Sequence, residues 1–153
     1  MLKTAAIAAL ATTAVVVGTS GAAGPDGGTA KKATTYDYTL IATHPFFVDN
    51  GEPDPSSGDM FGSRGRIESK GEKAGKFASS CVAVLPVGRC GATLILKGLG
   101  RVELSGLFHF SEPRKSVVSV VGGTRAFRSA HGAATLTPES KGEIQQLELK
   151  IVE

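Results

Sequence analysis

The stretch VVGGTRAFRSAHGAATL, residues 120 to 136, decides how the chain is read. A β-branched run leads into Gly122, Gly123 and Thr124, and the chain then passes Phe127 and Ala130 to a second small-residue group at Gly132–Ala134. A phosphate loop would need a strand, a glycine-rich turn and then a helix whose N-terminus faces the anion. Beyond Gly123 the chain instead carries glycine, β-branched residues and proline, without a helical stripe and without a Lys-Ser or Lys-Thr pair. The stretch is therefore a structural connection. Gly122 and Gly123 let the chain turn sharply where a positive φ carries no Cβ penalty. Phe127 can fold back as an apolar plug, and Gly132 releases the chain into the next strand.

Outward from this point the pattern is that of strands. Short β-rich runs alternate with turn residues, and there are 20 glycines but no apolar pattern of helical period. The expected strands are Tyr36–Thr43, Met60–Ser69, Lys76–Leu85, Cys90–Lys97, Arg101–Phe110, Lys115–Val121, Ala133–Thr137 and Gln145–Val152. His44 to Asp59, rich in proline, glycine and acids, is expected as a long loop, and Gly98, Gly100, Pro113 and Pro138 punctuate the rest. Alternation assigns faces: Val102, Leu104, Phe108 and Phe110 share one side of their strand, Arg101, Glu103 and His109 the other. Leu147, Leu149 and Ile151 oppose Glu148 and Lys150. An antiparallel meander with one apolar face, and no helix to cover it, is left with a barrel or a sandwich. Closure removes both open edges and buries that face.

The N-terminus reads differently. Lys3, an apolar run from Ala5 to Val17 and small residues at Ala22 and Ala23 form a secretory signal peptide, 1–23. Residues 24–34 form a flexible leader, and 35–153 form one domain. The expected destination is outside the cell, with no membrane attachment after cleavage. Without Lys3 the chain has 16 basic and 14 acidic residues spread along its length, too balanced for a nucleic-acid partner. Cys81 and Cys90 flank a turn at Pro86–Gly88 and suit a disulfide in an oxidising compartment. Such a bond would contribute about 2.5–3 kcal/mol through loop closure. The alternative is a free thiol facing the interior. Two cysteines with His44, His109 and His131 show no metal-ligand spacing, and no metal or cofactor is called for. Nucleophile elbows are also missing, which argues against hydrolase chemistry.

Several pieces together resemble the allene oxide cyclase and dirigent protein superfamily. VVGGTRAFRSAHGAATL is similar to that superfamily's barrel-closing motif, Gly-Gly-Thr/Ser-Gly and then an aromatic, a small residue and a glycine. Arg125 stands at the motif's last glycine, and His131 where dirigent proteins tend to have arginine. In the same order, Gly58–Asp59 opens the second strand, Gly75 precedes Cys81 by the interval of the plant cyclases, and Gly100–Gly106 resembles their Gly-x-Ile-x-x-x-Gly strand. The resemblance runs from about Tyr36 to Val152 and looks closest to bacterial cyclase-like barrels.

The resemblance implies an eight-stranded antiparallel β-barrel with an apolar cavity. In that setting the chain would bind an apolar small molecule and steer its cyclisation or isomerisation, mostly by orientation and exclusion of water. Tyr38 is the candidate hydrogen-bond donor, Asp59 or Asp37 the acid or base, and Cys81 part of the cavity lining. Phe77, Leu94, Leu104 and Phe108 would form the walls. Two other readings use the same fold: a lipocalin-like protein that holds its ligand unchanged, and a structural or assembly protein with outward Val82, Val84 and Ile95 at its contacts. The plant members are trimers, so a homo-oligomer, dimer or trimer, is within the expectation. A convergent pair of polar side chains in the cavity would favour the enzyme, an apolar cavity the binder, and a solid barrel the structural role.

Overall fold

The structure is a computed structural model that describes residues 32–51, 56–109, 115–139 and 143–152. The expected signal peptide, most of the leader, Phe110 and Pro113 lie outside the described residues. Eight strands form a closed antiparallel barrel in chain order. They are β1 (Ala33–Val48), β2 (Met60–Ser69), β3 (Glu72–Val84), β4 (Val87–Leu96), β5 (Gly100–His109), β6 (Ser116–Gly123), β7 (His131–Pro138) and β8 (Ile144–Val152). β1 closes the cylinder on β8, with Ala33 opposite Val152 and Ile41 opposite Ile144.

Two boundaries depart from the sequence reading. β1 begins at Ala33, inside the expected leader, because its first residues pair with the end of β8. It also continues through His44–Val48, where the residue types argue for a loop. The proline there is tolerated for a physical reason. The ladder with β8 stops at Ile41, so beyond it the described ladder of β1 is with β2 alone, and Pro45 sits on an edge where its missing N–H breaks no central pairing. A bulge between Ala42 and His44 marks the change.

Alternation places Tyr38, Leu40, Ile67, Phe77, Leu94, Leu96, Val102, Leu104, Val118, Val120, Ala134, Leu147, Leu149 and Ile151 inside, where together they form the core. One end is plugged by the connection between β6 and β7. A short 3₁₀ turn, Arg125–Phe127, swings Phe127 under the barrel, where it is fully buried. Its ring meets Tyr36 edge-on at 6.0 Å, and Tyr36 stacks on Tyr38 at 6.3 Å. Thr124 and Ala126 donate their N–H groups to the carbonyls of Arg101 and Leu99, which ties the plug to the β4–β5 turn. Gly123 is required by this approach: a Cβ there would lie 2.2 Å from the Arg101 carbonyl and 2.6 Å from Phe127 Cβ. Arg125, at the motif's glycine position, adopts φ 57°, a region costly for a side chain.

At the other end Asp59 fixes the β1–β2 connection. Its buried carboxylate accepts from the Asn50 N–H (2.9 Å), the Ser56 N–H (2.6 Å) and the Ser56 hydroxyl (2.9 Å), while its carbonyl accepts from Ala83 N–H (2.8 Å). The two backbone N–H donors hold the carboxyl below its ordinary value of 3.8.

Three outcomes are expected from urea denaturation. Phe127→Ala lowers stability by about 3–5 kcal/mol, whereas Arg125→Gly raises it by about 0.5–1 kcal/mol by relieving the positive φ. The Asp59 contribution is present above the unfolded carboxyl value and is lost as pH falls through the lower folded one. The gap between the native chain and Asp59→Asn therefore narrows below about pH 4. A gap that stays constant from pH 7 to pH 3 would remove the carboxylate from this role.

Candidate functional site

The two ends of the barrel interior differ in cover. At the plugged end the inward residues Ile67, Leu94, Val102 and Leu149 have no exposure at all. Toward the opposite end, where the β1–β2 and β3–β4 connections lie, inward residues on successive strands are only half-buried: Ser63, Ser79, Ala92, Gly106, Leu136 and Gln145. Side chains that point inward yet meet solvent make this end of the interior, the lumen, less filled than the other, while Cys81 and Ala83, also inward there, are buried. Its floor is Phe77, Leu94 and Leu104, three of the four expected wall residues, all buried. The fourth, Phe108, is half-buried opposite Gly88 and stands at the rim.

Ser63 and Ser79 face each other across β2 and β3. Their hydroxyls are 3.4 Å apart, and Ser79 Oγ also donates to the Ser63 carbonyl at 3.3 Å. With Ser79 donating to the carbonyl, Ser63 is the donor in the longer hydroxyl–hydroxyl contact, and its hydrogen is the one that can turn toward a guest. Gln145, opposite Leu40 on β1 and Pro138 on β7, shares the inward phase of Leu147 and Leu149. Sequence reasoning passes over these three polar groups. A signal exists all the same: Ser63 keeps the parity of Ile67, Ser79 that of Phe77, and Gln145 that of Leu147.

The residues that sequence reasoning singles out do not come together. Cys81 lies inward and is bonded to Cys90, directly opposite on β4, with Cα atoms 4.0 Å apart. The free-thiol alternative is thereby corrected: Cys81 offers the wall of the lumen a disulfide and no thiolate chemistry. Tyr38 is buried on the inner side of β1, and burial, with Tyr36 beside it, pushes its hydroxyl above the ordinary tyrosine value of 10.0. It is a protonated donor at neutral pH. Asp59 has its carboxylate committed to Asn50 and Ser56, outside the polar group formed by Ser63 and Ser79. Asp37 is exposed on the outer face, opposite Glu148. Glu103, on that same outer side, accepts the Thr93 hydroxyl at 2.6 Å. Among the described residues no group of three or more His, Cys, Asp or Glu side chains is placed to hold a metal ion.

A scan against protein-family models finds no match, and a search of curated proteins finds none. Solved structures do resemble the barrel. A pyocyanin demethylase superposes with a TM-score of 0.69 at 20% identity, covering 77% of this chain and 99% of its own. The pterocarpan synthase dirigent protein GePTS1 gives 0.63 at 19%, covering 86% and 96%. The Diels–Alderase AbmU from Streptomyces koyangensis gives 0.62 at 12%, covering 81% and 69%. At these identities the likeness is one of fold. What the chain shares with these structures is the closed eight-stranded antiparallel barrel.

Proposed function

We propose that this barrel takes an apolar small molecule into its open end and steers the cyclisation or isomerisation of that molecule by holding it in one conformation. The observation that carries the reading is the Ser63–Ser79 pair, polar and half-buried in an otherwise apolar wall. A pocket of this kind fixes orientation with few polar contacts and binds with its apolar surface. The Ser63 hydroxyl and the Gln145 amide supply donors for a carbonyl or hydroxyl on the guest, and buried Tyr38 supplies another from deeper in the barrel. Phe77, Leu94 and Leu104 form the floor against which the hydrocarbon part is pressed, and Phe108 borders the mouth.

Among the described residues the lumen has no uncommitted carboxylate. The chemistry that suits it moves electrons within the guest and needs no proton transfer to the protein. The rate then comes from folding the guest into a reactive geometry away from water. Structural neighbours that include a Diels–Alderase and a dirigent protein support this reading. The signal-peptide reading and the disulfide support export to an oxidising compartment, and exposed Val82 and Val84 on the outer surface support self-association.

The test begins with native mass spectrometry of the protein isolated from its producing organism. It is expected to carry a small apolar molecule. Incubated with the unreacted form of that molecule, the native chain gives a single product isomer by chiral chromatography. The Ser63→Ala/Ser79→Ala variant still binds but turns over about 10–100-fold more slowly, since each lost hydrogen bond to a buried partner is worth about 1–2 kcal/mol. Ala92→Phe, which fills the lumen, abolishes binding. Retention without any turnover by the native chain would replace the proposal with a carrier role. An empty barrel that refuses apolar guests would overturn both.

A further inference from the structure

On the outside of the barrel, away from the lumen, β2, β3 and β4 carry a concave depression of about 840 Å³. Register shifts flank it, at Ala42/His44 on β1 and at Ile67/Glu68 on β2, where bulges bend the ribbon. Its lining combines Ala78, Thr93 and Ile95 with five basic side chains, Arg64, Arg66, Lys73, Lys76 and Lys97.

The charge arrangement is unusual for a fold that needs only a solvated outer face. Arg66 stands directly opposite Lys76 across the β2–β3 ladder, and like charges in that position repel. Of the acidic groups nearby, Glu68 is taken by Arg66 at 2.7 Å, and Glu103 by the Thr93 hydroxyl at 2.6 Å and Arg101 at 3.9 Å. Glu72 is exposed at the β2–β3 turn. Among the described residues the ion pairs are Arg66–Glu68 and Arg101–Glu103, so Arg64, Lys73, Lys76 and Lys97 have no carboxylate in ion-pair distance. The cations are also ordered. Arg64, the Arg66–Lys76 pair, and Lys73 opposite Glu68 succeed one another along the ribbon over roughly 13 Å, at about 3.3 Å per residue.

We propose that this depression binds a linear acidic polysaccharide, with its sulfate or carboxylate groups on the row of cations and its sugar rings over Ala78 and Ile95. Charge complementarity carries the assignment, and shape narrows it. Attachment to a bilayer draws on large apolar or aromatic side chains that insert among the headgroups, and among the lining residues Ile95 is the one such side chain that is exposed. Single-stranded nucleic acid is held by stacking on aromatic side chains, and the aromatic here, Phe77, is buried. A peptide added as a strand needs a free edge, and β2, β3 and β4 are each paired on both sides. A narrow, charged, hydroxyl-rich chain remains. The site is separate from the lumen and does not depend on the function proposed for it. Its effect would be to hold an exported barrel on an anionic surface or matrix while the mouth stays open.

The test uses the whole chain and three classes of probe at matched ionic strength: the glycans heparin and polygalacturonate, duplex DNA, and vesicles containing phosphatidylglycerol. Binding of the two glycans is expected, weakening as salt rises. Arg64→Glu/Lys76→Glu should bind them at least about tenfold more weakly, because several exposed charge contacts are reversed together. Lys115→Glu/Lys150→Glu changes the net charge equally at a distance from the depression and should stay within about twofold of the native chain, since screening confines each charge to its own neighbourhood. If the reversed variant fails to fold by circular dichroism, Arg64→Gln/Lys76→Gln replaces it. Equal weakening by both pairs would assign binding to net charge and overturn the site. Tighter, Arg64- and Lys76-dependent binding of DNA or vesicles would overturn the choice of occupant.

Discussion

Everything in this molecule depends on the first strand finding the last. β1 and β8 are separated by the whole domain, yet they exchange a continuous ladder from Ala33–Val152 to Ile41–Ile144. Without it the meander would be a curled sheet with two raw edges and its apolar face in water. With it, one run of alternating residues becomes an interior, and the interior becomes a container. Such a contact is slow to find, because loop-closure entropy is lost before the pairing is gained. The neighbouring hairpins, formed between consecutive strands, must bring β1 and β8 within reach. The Phe127 plug then seals what closure has made.

That seal divides the barrel into two functional halves. Beneath Phe127, Tyr36 and Tyr38, the inward side chains are dry and closely packed, and they hold the fold together. Toward the mouth the inward side chains meet solvent, and several are small or polar. Filling them with larger residues would make a stabler barrel without a lumen. Small residues at Ser63, Ala92 and Gly106 forgo that stability and leave the room that the proposed function needs. In the proposed function the less filled half would carry the selectivity, while the dry half carries the stability.

The sequence was legible where one rule acted alone. Period-two alternation located the strands and put Val102, Leu104, Leu147 and Leu149 inside, and the glycine-rich connection announced a plug rather than a phosphate loop. It was less legible where two rules competed. His44–Val48 looks like loop because Pro45 argues against a central strand, and only the three-dimensional pairing shows that this part of β1 lies on an edge. The polar lining was hidden for a different reason. Ser63, Ser79 and Gln145 are common surface residues, and each acquires meaning from parity with a buried neighbour. Conversely, Asp59 stands out as an acid, but its oxygens are consumed by donors of its own loop. Charge type alone does not distinguish a reagent from a fastener.

The extension of β1 past the bulge has a consequence for how this barrel lives among copies of itself. A closed barrel offers no backbone for another chain to copy, but between His44 and Val48 one side of β1 lies outside the closing ladder with β8, and Phe46, Phe47 and Val48 are exposed beside it. Such a segment is a template for strand-by-strand aggregation. Pro45 interrupts the row of donors, and His44 adds a polar group next to it. The proline that obscures the strand in the sequence thus stands where a gatekeeper is needed: it breaks the row of donors that an added strand would copy.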